Sequence, residues 1–233
     1  MTTLEKLLLI GAHEVAKEVK CFVEDYGLFE IVGYSVNRKY IKDNAIDGLP
    51  VIPLEELDNE IDRETTKVFM AISWGQRLNQ VRKDIFNELK ARGYSFANLI
   101  APRAVIMTDD IGEGNWFHDF SYIGHKTVIG DNNDFRPFST IGHYTSVGSH
   151  NHFSKCTVGG VAKLGDCNFV GMQAIVFNRV NIGNKNFIGA GTIVKKDLGD
   201  FTLIAAKESD RIQLTEKQIE RVVIPGGKKN FLA

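Results

Sequence analysis

The feature that most constrains this chain is a six-residue repeat in its C-terminal half. Isoleucine or valine followed by glycine occurs at positions 111, 123, 129, 141 and 147, all multiples of six apart. Phe117, Phe135 and Phe153 fill the vacant positions of the same series. The count restarts one residue early at Val158 and then runs through 164, 170, 176, 182, 188 and 194. The repeat therefore covers roughly ninety residues with a single one-residue deletion.

A period of six fits neither an isolated helix nor a β-hairpin meander, because helices repeat every ~3.6 residues and strands every two. It fits a solenoid in which each hexad contributes a short strand and a turn. The apolar residue of each hexad then points inward, and the glycine after it lets the chain turn. If three hexads close one triangular coil, residues eighteen apart stack on the same face.

The first hundred residues follow a different pattern, in which apolar runs alternate with helical periodicity. "KLLLI", "FEIVGYSV" and "KVFMAIS" are typical of buried strands, and "SFANLI" is expected to be a further strand. "EVAKEVKCFVEDY", closed by Gly27, and "GQRLNQVRKDIFNELKARG" are typical of amphipathic helices. Alternating strands and helices predict a small, doubly wound, Rossmann-like α/β domain with a parallel sheet.

In such a domain the ligand crevice lies at the carboxyl ends of the strands, near residues 11–14 and 73–77. We expect a nucleotide- or sugar-binding domain in residues 1–100, a β-helix in residues 101–207 and a helical tail in residues 208–233. Candidate substrate-binding residues in the crevice are Gly11, His13, Ser73 and Arg77.

The composition excludes several classes of partner. The formal net charge is -1, with 24% charged residues and no basic run, so no nucleic-acid or anionic-lipid footprint is visible. The early apolar run "LLLIGA" is too short to span a membrane and lacks a signal-peptide cleavage pattern. The 3 cysteines show no CxxC spacing, which argues against a disulfide framework or a structural zinc site. We expect a cytoplasmic protein that binds small molecules.

Hexads in such numbers resemble the left-handed parallel β-helix of the hexapeptide-repeat acyltransferases. The left hand is implied by that resemblance, since physical principles alone favour right-handed crossovers. An α/β domain followed by "LIAPRAVI" and hexads is similar to the family of sialic acid O-acetyltransferases and nucleotide-amino-sugar N-acetyltransferases. "GLPVIPLEEL", "VFMAIS" and "FIGAGTIVKKDL" support the resemblance, which covers residues 7–207.

The stretch "STIGHYTSVGSHNHF" contains three of the six histidines. Matching to the family places the catalytic histidine at His143, as the general base that removes a proton from the attacking sugar amine or hydroxyl. His125 lies eighteen residues earlier, so it is expected on the same ladder of coils. The resemblance implies that His152 contacts the thioester or orients the base, whereas His150 is expected at the surface. Three carboxylates are candidates for orienting the base: Asp119, Asp134 and Glu113.

The acyl-donor site is also implied by the resemblance. In relatives the pantetheine arm of acetyl-CoA runs along the groove between neighbouring β-helices, touching backbone at glycine-containing turns and a basic residue near the last coils. The corresponding positions in this chain are Gly159, Gly171, Gly189, Ala190 and Lys195 or Lys196. Because that groove lies between subunits, a homotrimer is implied.

Two segments depart from the family's pattern. The first loop usually reads like "IGAGGHAK", but this chain reads "IGAHEVAK", so His13 and Glu14 replace both glycines. The charge of Glu14 is unfavourable for phosphate at a helix N-terminus, although both residues could instead cap the helix. Near the C-terminus, "AAK" replaces the family's "PAK".

The expected function is acyl transfer, with acetyl as the expected group, from coenzyme A to the amino group of a nucleotide-linked deoxyamino sugar for surface glycan. O-Acetylation of a sialic acid is the alternative. A zinc-dependent β-helix enzyme is disfavoured, because such enzymes need two histidines five residues apart and no pair here has that spacing; no metal is expected. A non-catalytic sugar-binding protein is a further alternative.

Overall fold

The computed structural model of the protein describes residues 4–74, 79–207, 213 and 215. Arg77 lies outside the described residues, as does nearly all of the segment 208–233 in which the sequence predicts a helix.

An α/β region forms the N-terminal part of the described chain. Its strands are β1 (Lys6–Ile10), β2 (Glu30–Val36), β3 (Ala45–Ile46), β4 (Leu49–Pro53) and β5 (Thr66–Met70). Its helices are α1 (Glu14–Tyr26), α2 (Leu57–Glu60) and α3 (Gln80–Ala91), with short 3₁₀ turns at Arg38–Tyr40 and Leu54–Glu56.

The five strands form one sheet in the order β3-β4-β2-β1-β5. The central strand β1 pairs in parallel with β2 and β5, and only β3 with β4 is antiparallel. The continuous apolar run of β1 is explained by its burial on both faces. α1 buries residues spaced three and four apart and ends at Gly27, which has the left-handed φ of 59° common at helix C-termini. The predicted parallel α/β region is confirmed.

The remaining strands are two residues long and form a left-handed parallel β-helix. In chain order they are β6 (Leu99–Ile100), β7 (Val105–Ile106), β8 (Trp116–Phe117), β9 (Tyr122–Ile123), β10 (Val128–Ile129), β11 (Asp134–Phe135), β12 (Thr140–Ile141), β13 (Ser146–Val147), β14 (His152–Phe153), β15 (Thr157–Val158), β16 (Lys163–Leu164), β17 (Phe169–Val170), β18 (Ile175–Val176), β19 (Asn181–Ile182), β20 (Phe187–Ile188), β21 (Ile193–Val194) and β22 (Leu203–Ile204).

These strands lie in three sheets, which are the three faces of the triangular prism. The first face is β6-β8-β11-β14-β17-β20-β22, the second is β7-β9-β12-β15-β18-β21, and the third is β10-β13-β16-β19. The second residue of each strand from β8 to β21 points inward and is buried. Phe117, Phe135 and Phe153 stack along the axis with ring centroids 4.8 and 4.9 Å apart.

The one-residue deletion is accommodated in a single turn. Tyr122 pairs with Thr140, eighteen residues later, whereas Thr140 pairs with Thr157, seventeen residues later. The inward ladder continues unbroken through Val158, because the shortened turn between β14 and β15 takes up the difference.

The segment "SFANLI" differs from its prediction as a strand of the α/β sheet. Phe96 makes one bridge to Val68, and the chain then leaves that sheet, so that Leu99 and Ile100 pair with β8 in the first coil. Oδ1 of Asn98 accepts a hydrogen bond from the backbone N–H of Asn115 at 2.8 Å, and this bond joins the segment to the β-helix.

The glycines of the hexads also serve a purpose other than the expected one. The left-handed φ at the corners belongs to residues such as Lys126, Tyr144 and Val161, three positions after the inward residue. The glycine instead permits close stacking of coils, since a Cβ on Gly124 would lie 2.6 Å from the backbone nitrogen of His143. Among the described residues, no helix has the length and apolar character needed to cross a membrane.

Candidate active site

His125 and His143 lie on adjacent coils at the corner between the second and third faces. The backbone N–H of Tyr144 donates to the carbonyl of His125, and that of Val161 donates to the carbonyl of His143, each at 2.8 Å. This register confirms the predicted stacking of residues eighteen apart. Both histidine side chains are exposed. We call the ladder of His125, His143, Gly160, Asn178 and Lys196 the histidine corner.

The ring of His143 lies directly against Gly160 on the next coil. A Cβ on Gly160 would lie 2.8 Å from Cε1 and 3.0 Å from both ring nitrogens of His143. The ring of His143 also meets the ring of Tyr144 edge-on, at 5.7 Å between centroids. The imidazole is therefore positioned by packing, while its exposed edge is open to a ligand.

None of the three carboxylates suggested by the sequence orients His143. Asp119 accepts hydrogen bonds from Tyr26 and Arg103, and Glu113 accepts them from Lys90. Asp134 lies beside His118 and His152 on the first face. Among the described residues, no carboxylate contacts the imidazole of His143.

His152 lies on the opposite side of the coil from His143. The two residues are nine apart, which is half of an eighteen-residue coil, so His152 is on the first face in β14. Within one chain His152 therefore does not orient His143. Its own Nδ1 is 3.0 Å from Oδ2 of Asp134, and Nε2 of His118 is 3.5 Å from Oδ1. Neither contact has the geometry of a hydrogen bond, so both are close electrostatic contacts.

Asp134 is a buried carboxylate surrounded by cationic and titratable groups. Arg136 donates from Nε to Oδ2 at 2.9 Å and forms a further ion pair with Glu18 of α1. Burial by itself would raise the pKa of Asp134, but His152, His118 and Arg136 outweigh it and hold that pKa well below its usual value. The carboxylate is therefore ionised at neutral pH.

The α/β region covers this part of the first face. Trp74, which follows β5, packs over His152, Phe169 and Phe187 at centroid distances of 6.2, 4.3 and 5.7 Å. Sequence reasoning did not identify Trp74 as a candidate site residue. The pairing of Asp134 with His152 also went unrecognised, although their eighteen-residue separation signals that they stack on neighbouring coils.

The candidate donor-binding residues fall on two corners. Gly171, Gly189 and Ala190 stack between the first and second faces, where a Cβ on Gly171 would lie 2.8 Å from the backbone nitrogen of Ala190. Lys196 belongs to the histidine corner, and Gly159 and Lys195 lie one residue before its members Gly160 and Lys196. Nζ of Lys195 is 5.3 Å from the ring centroid of Phe177. Both lysines are exposed.

The second face joins these two corners and carries exposed apolar side chains. Tyr122, Ile175, Val105 and Ile193 on this face are between 38% and 55% exposed. Phe138 and Phe177, at the two flanking corners, are 54% and 46% exposed. Thr140 and Thr157 lie between the pair Val105 and Tyr122 and the pair Ile175 and Ile193, so the face combines apolar and hydroxyl side chains. Exposed large apolar side chains in this number make the second face a candidate interaction surface.

In the α/β region, Gly11 and His13 lie at the carboxyl end of β1. Gly11 has a φ of +130°, and a Cβ there would lie 2.3 Å from the carbonyl oxygen of Ala71, so only glycine fits. His13 precedes α1 without a side-chain cap bond, and it lines a cavity of about 120 Å³ with Tyr40, Lys42 and Asp43. Ser73 is exposed and does not line this cavity. Tyr40, Lys42 and Asp43 were not anticipated, because they lie in a loop without regular patterning.

His150 is buried, contrary to its predicted surface position. Its ring packs edge-on against Phe86 of α3 at 5.3 Å, and its Nδ1 is 3.0 Å from Nδ2 of Asn132. Burial, with the positive charges of Lys83 and Arg82, lowers the pKa of His150 to about 4. The α/β region covers this corner, which the sequence alone did not reveal.

Three or more His, Cys, Asp or Glu side chains arranged to hold a metal ion are not found within the described ranges.

Comparisons with known proteins agree with this architecture. Residues 110–143 match the family described as Bacterial transferase hexapeptide (six repeats). Among curated proteins, none matches the chain. The acetyltransferase domain of PglB from Neisseria gonorrhoeae is 22% identical, with a TM-score of 0.75 over 87% of this chain and 97% of that one.

PerB from Caulobacter crescentus, solved with CoA and GDP-perosamine, is 25% identical, with a TM-score of 0.71 over 87% of this chain and 95% of that one. WeeI from Acinetobacter baumannii is 18% identical, with a TM-score of 0.67 over 88% of this chain and 97% of that one. The predicted fold and the resemblance to hexapeptide-repeat sugar acetyltransferases are confirmed.

Proposed function

We propose that this protein is an acyl-CoA-dependent N-acyltransferase that transfers acetyl from acetyl-CoA to the amino group of a nucleotide-linked deoxyamino sugar. The observation that carries this proposal is an exposed histidine ladder on a β-helix that is joined to a nucleotide-binding-like α/β region. The structure of PerB with CoA and GDP-perosamine supports this pairing of donor and acceptor.

In the proposed reaction the sugar amine attacks the thioester carbonyl carbon and forms the new C–N bond. His143 accepts the proton that the nitrogen loses, and the tetrahedral intermediate collapses as the C–S bond breaks. Coenzyme A leaves as a thiolate and takes the proton that His143 had accepted, so the products are the amide and the free thiol and His143 is again neutral. The imidazole of His143, exposed at one edge and packed on Gly160, is suited to this role.

We also propose a homotrimer in which the groove between copies holds acetyl-CoA. The exposed apolar second face supports this arrangement, because its burial between copies would remove several large side chains from water. In such a cyclic trimer, the corner between the first and second faces of one copy lies beside the histidine corner of its neighbour. The pantetheine arm would then contact Gly171, Gly189 and Ala190 of one copy, with Gly159 and Lys195 or Lys196 contributed by the next.

The acceptor is proposed to bind between the carboxyl end of β1 and the first face of one copy, with its amino group reaching His143 of the neighbouring copy, because His143 and the first face lie on opposite sides of a single coil. Gly11, His13, Ser73 and Arg77 were the sequence candidates, and His13 lines a cavity together with a cationic residue, Lys42. The first loop lacks the two glycines of the family's pattern, but Lys42 provides a positive charge beside it. This charge supports binding of a diphosphate. Synthesis of surface glycans in the cytoplasm is the corresponding proposed role.

The test is thiol release by the full-length protein from acetyl-CoA with a panel of acceptors. The panel contains UDP-, dTDP- and GDP-linked amino-deoxy sugars, free sialic acid and CMP-sialic acid. Turnover with a nucleotide-linked amino sugar alone is the expected result. Turnover with sialic acid alone would replace N-acylation by O-acylation, and absence of acetyl-CoA binding would overturn the transferase proposal.

A further inference from the structure

The ionised Asp134 lies beside Nδ1 of His152, where a carboxylate decides which ring nitrogen carries the proton. Nδ1 of His152 is 3.0 Å from Oδ2 of Asp134 and has no other polar partner among the described residues. An ionised carboxylate accepts hydrogen bonds and cannot donate them. The proton of a neutral His152 ring therefore belongs on Nδ1, and Nε2 carries the lone pair.

Aromatic packing also fixes the orientation of the His152 ring. It stacks on Phe169 with an interplanar angle of 6° and a centroid distance of 5.2 Å, and Trp74 packs over it at 6.2 Å. The side chain keeps 13% exposure, and Nε2 forms no hydrogen bond with any described residue. Nε2 of His152 is therefore available as a hydrogen-bond acceptor, on a ring fixed by packing, at the boundary between the α/β region and the β-helix.

The other charged groups near Asp134 interact with its carboxylate, and none of those described below forms a hydrogen bond with Nε2 of His152. Arg136 of the same strand end donates to the oxygen that faces His152. Glu18 of α1 balances Arg136, and the buried Arg82 of α3 contributes a further positive charge. His118, 3.5 Å from the other oxygen, completes the surroundings.

We propose that Asp134 is a positioning residue that holds His152 in the Nδ1–H tautomer, so that Nε2 accepts a hydrogen bond from the amino group of the acceptor sugar. This role in the reaction rests on the proposed function, whereas the tautomer does not. The contact lacks hydrogen-bond geometry in the ligand-free protein, and such contacts at active sites commonly tighten into hydrogen bonds when substrate binds.

The first test is long-range ¹H–¹⁵N correlation spectroscopy of the histidine rings in the full-length protein, with the His152 signals assigned from the variant His152→Gln. The expected result at slightly alkaline pH is a protonated Nδ1 and an unprotonated Nε2. A protonated Nε2, or a mixture of both tautomers, would overturn the proposal without any measurement of activity.

Two substitutions of Asp134 then separate hydrogen bonding from folding. Asp134→Ala removes the acceptor, so His152 is expected to show both tautomers and kcat to fall at least about tenfold, with KM for acetyl-CoA unchanged. Asp134→Asn is expected to keep the Nδ1–H tautomer and most of kcat, because Arg136 holds the amide oxygen towards His152. A loss of the tautomer in the asparagine variant would count against the proposal.

The matched control is Asp166→Ala. Asp166 is also a β-helix carboxylate that pairs with the α/β region, through Lys83 at 3.0 Å, but it has no contact with His152. The Asp166→Ala variant is expected to leave the His152 signals and kcat unchanged. If the wild type shows the predicted tautomer but no transferase activity, the proposed function fails and the structural role of Asp134 stands. If Asp134→Ala and Asp166→Ala change the His152 signals equally, the structural role of Asp134 is wrong.

Discussion

Gly160 provides the flat surface on which the imidazole of His143 rests. Its missing Cβ would lie within 3.0 Å of three atoms of that ring, and its backbone is not in the left-handed region. The glycine is thus required by its neighbour on the preceding coil and not by its own conformation. This contact is the most direct constraint on the geometry of the proposed base.

Gly160→Ala is therefore expected to displace His143 while leaving the backbone intact. A shift of about 1 Å in a reacting group lowers turnover by roughly a hundredfold, so we expect a loss in kcat of that order. Binding of acetyl-CoA, measured by calorimetry, is expected to be retained. Gly199→Ala is the control, because a Cβ on Gly199 would meet no atom within 4 Å; equal activity of both variants would contradict this assignment.

His143→Ala is expected to lower turnover at least about a hundredfold, because it removes the proposed general base, while acetyl-CoA still binds. Thiol release under saturating substrates measures the effect. Survival of activity would mean that another group accepts the proton. His125→Ala is expected to have a smaller effect, and an unchanged rate would identify His125 as a surface residue of the same ladder.

The six-residue period was sufficient to predict the β-helix and the stacking of His125 on His143. Each coil repeats the same inward residue, so a count along the chain fixes the register without any long-range information. The crossing of Leu99 and Ile100 from one sheet system to the other was not predictable in this way. Asn98 begins a ladder of asparagines that continues through Asn115 and Asn133 at spacings of seventeen and eighteen residues, a signal that the count of apolar positions did not include.

The surroundings of individual histidines were harder to predict, because they depend on how the α/β region packs on the first face. His150 has the same local pattern as an exposed corner residue, yet Phe86 covers it. The role of Asp134 also follows from the register, since it pairs with His152 and not with His143. Contacts between the two parts of the chain carry no sequence period.

Lys195 and Lys196 are expected to bind the phosphates of acetyl-CoA. Replacing either with alanine is expected to raise KM for acetyl-CoA several-fold at low ionic strength without changing kcat, because exposed charges contribute modest and salt-sensitive binding energy. S-Acetylpantetheine, which lacks the nucleotide phosphates, is expected to be used equally well by variant and wild type. Lys163→Ala on the third face is the control, and an equal rise in KM there would contradict the assignment.

Phe135→Ala is expected to destabilise the β-helix by about 3–5 kcal/mol, the usual range for removing a buried phenyl ring. Phe135 is fully buried and stacked between Phe117 and Phe153, so its loss leaves a cavity that the neighbouring coils are unable to close. Chemical denaturation measures the change. Phe201→Ala, at a side chain that is 70% exposed, is expected to cost less than about 0.5 kcal/mol. Similar values for the two would contradict the stacked-core account.

Stability is expected to fall with acidification because His150 is buried in its neutral form. The fold lowers the pKa of His150 from 6.5 to about 4, so below pH 6.5 the unfolded chain takes up a proton that the folded chain excludes. This difference is worth about 3 kcal/mol and is lost progressively between those two pH values. Asp134 acts outside this window, because its pKa lies well below 3.8 in the fold and its contribution is lost only at lower pH.

His150→Gln removes the titrating group while keeping an acceptor for the amide of Asn132. Its free energy of unfolding, measured by denaturant titration at several pH values, is expected to be lower than that of the wild type at neutral pH. The gap is then expected to narrow as pH falls from 6.5 towards 4, since only the wild type loses the contribution of His150. A gap that stayed constant across this range would mean that His150 is protonated as readily in the fold as in the unfolded chain.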